Sequence, residues 1–188
     1  MTNDEIKSML KDRLTEYRYI HSLGVADMAK KLALRYGCDE DKAYFAGLVH
    51  DVMKDTPTDQ MKQYIACNGI VMTELEKNAP KLWHAILGAD YIRRVMGVTD
   101  SDVINAVRYH TTGRAGMSLL EKIVYIADYT SADRNYDGVD EMRDAAEKSI
   151  EEAMRISLEF TINDLGGKNV PVHPDTLAAY AEIMDGNG

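Results

Sequence analysis

The stretch Ala46-Gly47-Leu48-Val49-His50-Asp51-Val52-Met53-Lys54 sets a histidine beside an aspartate at the end of an apolar, small-residue run. Such a run reads as a buried helix. Adjacent residues on a helix point ~100° apart, so His50 and Asp51 aim two ligand atoms into one cavity from different directions. A buried carboxylate needs a partner, because taking it unpaired out of water is costly. A metal ion is one such partner. Asp128 raises the same question, since Ile123-Val124-Tyr125-Ile126-Ala127 precedes it. His21, His84 and His110 also fall one to a helix or helix end, and with His50 they are spaced by 29, 34 and 26 residues. Taken singly, each is ordinarily a hydrogen-bonded core residue, a cap or a salt-bridge partner. Four histidines and two acids in otherwise apolar helices point together to a metal site in a bundle core. Imidazole and carboxylate ligands without thiolate suit iron, manganese or zinc.

Outward from that stretch the chain reads as all-α. Its four prolines lie at 57, 80, 171 and 174, and period-2 alternation is scarce. Ile6, Met9, Leu10, Leu14 and Tyr17 make one apolar helix face. A second helix is expected from about Ser22 to Tyr36, stopped by Gly37. A third opens on Asp39-Glu40-Asp41 and carries Ala43 to Lys54. Thr56-Pro57-Thr58-Asp59 reads as a cap, a first-turn proline and an acid, and that helix ends at Asn68-Gly69. Thr73 opens a short helix. Pro80 starts one through Trp83 to Met96, ending at Gly97. Thr99 to Asp102 resembles a capping box, and Ser118 to Glu121 is one. A long helix is expected from about Asp140 to Leu165, and a last one after Pro174. With no repeat or linker, the chain reads as one domain over 1–188, its core about 18–134 and C-terminal helices about 140–184 packing on it.

Composition narrows the function. The net charge is -9, which disfavours a nucleic-acid partner gripped through phosphates. The segment 137–164 holds nine acidic and three basic residues and reads as a solvated helix face. No uncharged apolar run approaches the ~18 residues of a membrane span, and the start of the chain lacks a secretory signal's apolar region. Cys38 and Cys67 have no CxxC spacing and read as reduced thiols, so a cytoplasmic protein is expected.

His21, His50-Asp51 and Asp128 resemble the H…HD…D signature of the HD-domain metal-dependent phosphohydrolases. The surrounding text is more specific. Arg18-Tyr19-Ile20-His21-Ser22-Leu23-Gly24-Val25, the 46–54 stretch, His84-Ala85-Ile86-Leu87-Gly88-Ala89, Tyr109-His110-Thr111-Thr112-Gly113-Arg114 and Ala127-Asp128-Tyr129 are similar to the YqeK family. The likeness covers about residues 5 to 165. It implies a helical HD domain with two divalent metal ions, iron first and manganese as the alternative. It also implies symmetrical hydrolysis of dinucleoside tetraphosphates, diadenosine tetraphosphate above all, to two nucleoside diphosphates. Two metals held close together can carry a hydroxide between them and so supply the nucleophile at neutral pH. One departure is visible: Ser131-Ala132 stand where the family usually has Glu-Pro.

The resemblance assigns His21, His50, Asp51 and Asp128 to a first metal. His84 and His110 go to a second, with Asp51 bridging; the alternative is that these two histidines contact phosphate in a one-metal site. Asp51, Lys54 and Arg114 are the expected catalytic residues. Arg18, Lys54, Thr111, Thr112, Gly113, Arg114 and Arg134 are the expected substrate contacts. Against these stand a helix-end lysine for Lys54, a polar loop for 111–114, and surface salt bridges for Arg18 and Arg134. His173, between two prolines, reads as a loop or cap residue. The expected partner is a dinucleoside polyphosphate, with no nucleic acid and no membrane, and a homodimer is left open. The rival functions are another HD phosphohydrolase reaction, such as a nucleotidase or cyclic-dinucleotide phosphodiesterase, and a nucleotide-binding sensor without turnover.

Overall fold

A computed structural model describes residues 1–186. The helices are α1 Asn3–Arg13, α2 Glu16–Tyr36, α3 Glu40–Val49, α4 Thr58–Asn68, α5 Glu74–Lys77, α6 Pro80–Arg94, α7 Ser101–Tyr109, α8 Leu119–Thr130, α9 Val139–Lys148, α10 Ile150–Gly167 and α11 Pro174–Met184. No strand occurs among the described residues, as the sequence requires. Among the described residues no helix is long and apolar enough to cross a membrane.

Several ends differ from expectation, each for a local reason. Helix α2 begins six residues early because Thr15 caps it, accepting from the Arg18 amide, while Asp55 accepts from the Thr15 amide and hydroxyl at 2.8 Å each. Tyr17 therefore stands exposed on α2 instead of completing the apolar face of α1. Helix α3 stops at Val49 rather than Lys54. The His50 ring donates from Nδ1 to the Gly47 carbonyl (2.7 Å), taking the acceptor that would continue the helix. The chain then tightens through Val52 N–H to Val49 O and Lys54 N–H to Asp51 O. Pro57 occupies the cap position of α4, and Asp100 rather than Thr99 caps α7. The long C-terminal helix is broken at Ser149, whose extended backbone (φ −153°) lets its side chain cap α10. The Ser118/Glu121 capping box forms as read, and His173 caps α11, accepting from the Asp175 amide.

Helix α2 packs chiefly on α3 and α8, α7 joins α6 to α8, and α10 links α9 and α11 to α8. One apolar cluster runs through these layers, with Leu10, Leu32, Leu48, Leu87, Ile123 and Leu158 fully enclosed. Where α2 crosses α3 the two backbones nearly touch. A Cβ on Gly47 would lie 3.0 Å from the Ala26 Cα and 3.0 Å from the Val25 carbonyl oxygen. That approach brings His21 on α2 close to His50 at the end of α3. Gly47→Ala should therefore destabilise the protein by about 1–3 kcal/mol of overpacking. This outweighs the ~1 kcal/mol that alanine gains over glycine in a helix. A urea titration giving equal or greater stability for the variant would show that the crossing is not tight.

Candidate metal centre

Four histidines reach the middle of the bundle from four elements. His21 comes from α2, His50 caps α3, His84 lies on α6 and His110 caps α7. His110 repeats the device seen at His50: its Nδ1 donates to the Val107 carbonyl three residues back at 2.8 Å. Each bond puts the ring proton on Nδ1 and leaves Nε2 as a lone pair facing the centre. Asp51, at the turn after α3, is 2% exposed, and Asp128 sits near the end of α8.

The ligand atoms form three overlapping groups: His21, His50 and Asp51; His50, His110 and Asp128; Asp51, His84 and His110. Within each group they lie within 4.8 Å of one another. Asp51 Oδ1 is 3.2 Å from His84 Nε2 and 3.5 Å from His110 Nε2, and its Oδ2 is 3.6 Å from His50 Nε2. Asp128 Oδ1 is 2.9 Å from His21 Nε2 and 4.0 Å from His50 Nε2. Burial pushes the imidazoles of His50 and His84 down to about 3 and about 4, so both are neutral near pH 7. Burial alone would raise the two carboxyls. The surrounding imidazoles, with Lys54 at Asp51 and Arg134 at Asp128, hold both well below the ordinary range. The centre thus sets two carboxylates beside the neutral rings of His50 and His84.

A metal ion fits this set. His50 Nε2 and Asp51 Oδ1 are buried and have no hydrogen-bond partner among the described residues. Both are acceptors, and an acceptor buried without a donor is destabilising. A divalent cation satisfies both at once, and imidazole with carboxylate is its ordinary donor set.

Three cations stand against the carboxylates. Arg18 Nη1 donates to Asp51 Oδ2 at 3.2 Å. Lys54 Nζ lies 3.7 Å from Asp51 Oδ1 and donates to His84 Nε2 at 3.0 Å. Arg134 pairs with the Asp128 carboxylate and donates to its backbone carbonyl at 2.7 Å. Arg18, Lys54 and His84 line a cavity of about 500 Å³ together with Thr56 and Lys81. The 111–114 turn is used differently. Arg114 forms two 2.7 Å bonds with the buried Glu121 and lies over the Tyr109 ring. The Gly113 amide donates to the Tyr109 carbonyl at 2.8 Å, and a Cβ there would meet Ala179 and Leu158 at 3.5 and 3.6 Å. Thr111 and Thr112 instead line a second cavity.

Asp133 is a site residue that the sequence reading passed over. Its Oδ2 lies 2.8 Å from His21 Nδ1, on the far side of the ring from Asp128. Gly24 leaves it room, since a Cβ there would lie 3.2 Å from Asp133 Oδ1. The carboxylate that orients His21 thus comes from 133, two residues past Ser131. The one available signal was an extra acid beside the Ser131-Ala132 departure.

Comparison with known proteins accords with this arrangement. A family model described as HD domain matches residues 18–133. The chain belongs to the HD-domain family. It is 44% identical, over the full length of both chains, to a Bacillus subtilis protein named bis(5'-nucleosyl)-tetraphosphatase, symmetrical. It is 33% identical to a Staphylococcus aureus protein of the same name, covering 94% of this chain and 92% of the relative. A crystal structure described as a predicted HD superfamily hydrolase involved in NAD metabolism, from Clostridium acetobutylicum, superposes with a TM-score of 0.94 at 39% identity, covering 98% of each chain. HD domains bind divalent metals, and the His/Asp cluster of this one is suited to them.

A carboxylate on the remote nitrogen of a ligating histidine fixes its tautomer and raises its basicity, and losing such a partner typically costs ~10–100-fold in metal affinity. Asp133→Asn keeps an acceptor and removes the charge. Chelator competition should then strip metal from the variant at about 10–100-fold lower chelator concentration. Superimposable competition curves would mean that Asp133 does not act through His21.

Proposed function

We propose that this chain is a metal-dependent hydrolase that splits dinucleoside tetraphosphates symmetrically, converting diadenosine tetraphosphate and water to two molecules of ADP. One observation carries the reading. A chain that matches a symmetrical tetraphosphatase from end to end also gathers four imidazoles and two carboxylates in its buried centre.

In this reading His21, His50, Asp51 and Asp128 hold one divalent ion. His84 and His110 hold a second, with Asp51 shared. The sharing is supported by the place of Asp51 in two of the close groups, one with His21 and His50, the other with His84 and His110. Ions bound there supply Lewis acidity toward the phosphoryl oxygens and the attacking water. Iron is the proposed metal and manganese the alternative, both suited to a thiolate-free site.

The chain's own cations then manage the polyphosphate. Arg18, Lys54 and Arg134 are each about a quarter exposed, so each reaches both the carboxylates and the solvent side of the centre. Arginine offers a planar fork to phosphate oxygens, and lysine a compact charge. The three come from α2, the turn after α3 and the turn after α8, which favours contacts on more than one side of the attacked phosphorus. An inner phosphorus is then the one attacked, and the leaving group is a nucleoside diphosphate. Such a group departs without a strong general acid. Arg114 is assigned to holding the turn behind His110 through its Nε and Nη2 bonds to Glu121, which leave its other N–H groups for a phosphate.

Two measurements test the reading. Hydrolysis in isotopically labelled water should give two ADP per substrate, with label on the terminal phosphate of only one of each pair. ATP plus AMP as first products would contradict the centred placement. Anaerobically purified protein should hold about two metal ions per chain, and Asp51→Asn should lose both metal and activity. A variant within about tenfold of the parent, ~1.4 kcal/mol in the barrier, would remove Asp51 from its shared position.

A further inference from the structure

One cation in the 500 Å³ cavity beside the centre serves neither the centre nor the fold. The lining of that cavity carries Arg18, Lys54 and Lys81 and no acid. Exposure grades these groups by depth. His84 is 3% exposed, the Arg18 and Lys54 side chains are about a quarter exposed, and Lys81 is open to solvent. Lys81 lies three residues before His84 on α6, one helical turn along the same face and toward the helix start. Thr58, also exposed, lines the cavity from the start of α4.

The three cations differ in their partners. Arg18 donates inward to Asp51 Oδ2 at 3.2 Å, and Lys54 donates to His84 Nε2 at 3.0 Å. Among the described residues Lys81 pairs with no carboxylate. The acids nearest it in sequence are committed elsewhere, Glu74 to Lys77 and Glu76 to Arg108. Its position is also adverse locally. The start of a helix carries partial positive charge, so a lysine in the first turn adds like to like. An acid in that turn would offset it, but the first turn of α6 has none, and Ala79 before it supplies no side-chain cap. A protein of net charge -9 thus keeps an unmatched positive charge at the outer end of the cavity. An anion from solution is the partner that remains.

We propose that Lys81 is a specificity-determining residue. It contacts an outer phosphate of the substrate, beyond the phosphorus attacked at the centre, and so makes the site favour a polyphosphate chain over a single phosphate. The proposal rests on the reading of the chain as a dinucleoside polyphosphate hydrolase. Arg134 stands with Asp128 and His21 on one side of the centre, and Lys81 lies one turn out from His84 on the other. A phosphate chain that runs between them is held on both sides of the attacked phosphorus. A lone phosphate at the centre has no second unit to offer Lys81.

The test removes the charge and keeps the stem. Lys81→Met, at an exposed position, should fold normally. It should raise KM for diadenosine tetraphosphate about fivefold to tenfold with kcat within about threefold, the effect of one lost charged contact. Lys81→Arg keeps the charge and should stay within about twofold of the parent. Lys148→Met makes the same charge change on exposed α9 and should leave KM unaltered. Calorimetry on the metal-loaded protein supplies the readout of chain length. Lys81→Met should weaken inorganic tripolyphosphate about fivefold to tenfold and orthophosphate by less than about twofold. A KM within twofold of the parent in Lys81→Met overturns the proposal, and so does a rise of the same size in Lys148→Met. Equal weakening of tripolyphosphate and orthophosphate overturns it too. If the parent protein fails to split diadenosine tetraphosphate, the functional reading falls, while the calorimetric comparison still decides whether Lys81 meets an outer phosphate.

Discussion

Two carboxylates held inside a helical bundle are the constraint to which the rest of the structure answers. Asp51 and Asp128 remain ionised despite burial, and unpaired charges in that position would cost several kcal/mol each. The protein surrounds them with imidazoles and brings Arg18, Lys54 and Arg134 from the edge. Buried acceptors without donors remain at His50 and Asp51. That residue of unmet charge and lone pairs is the physical argument for cations at the centre.

Helix termination does much of the positioning. His50 and His110 each close a helix by bonding the carbonyl three residues back, and the same bond aims the other ring nitrogen inward. A local signal that ends a helix also selects a tautomer. Gly47 adds the long-range part, since the close crossing of α2 and α3 lets residues 21 and 50 meet. A larger residue there would separate two histidines that the sequence places 29 positions apart.

Around this centre the surface is divided by chemistry. Cations gather on one side of the first turn of α6 and apolar walls on the other. The acidic segment 137–164 forms α9 and α10, with Asp140, Glu141 and Glu151 turned to solvent, while Met142, Ile150 and Leu158 pack inward. The negative net charge therefore coexists with a locally positive approach to the centre.

The amino-acid sequence by itself determined the helical class, most helix ends that carry a strong cap, and the six histidines and aspartates whose side chains gather in the middle. These were legible because capping, glycine stops and apolar periodicity are local, and because six ionisable residues in otherwise apolar helices stand out together although none does so singly. Only the tertiary structure decided which ends are tighter than they read, as at Val49 and Ser149, where a side-chain bond competes with the helix. Only it supplied Asp133 to His21, committed Arg114 to Glu121, and opened an apolar cavity behind Thr111. The contact of His21 with Asp133 depends on a distance between residues remote in the chain, 112 positions apart. Spacing along a sequence carries no such distance, and packing creates it.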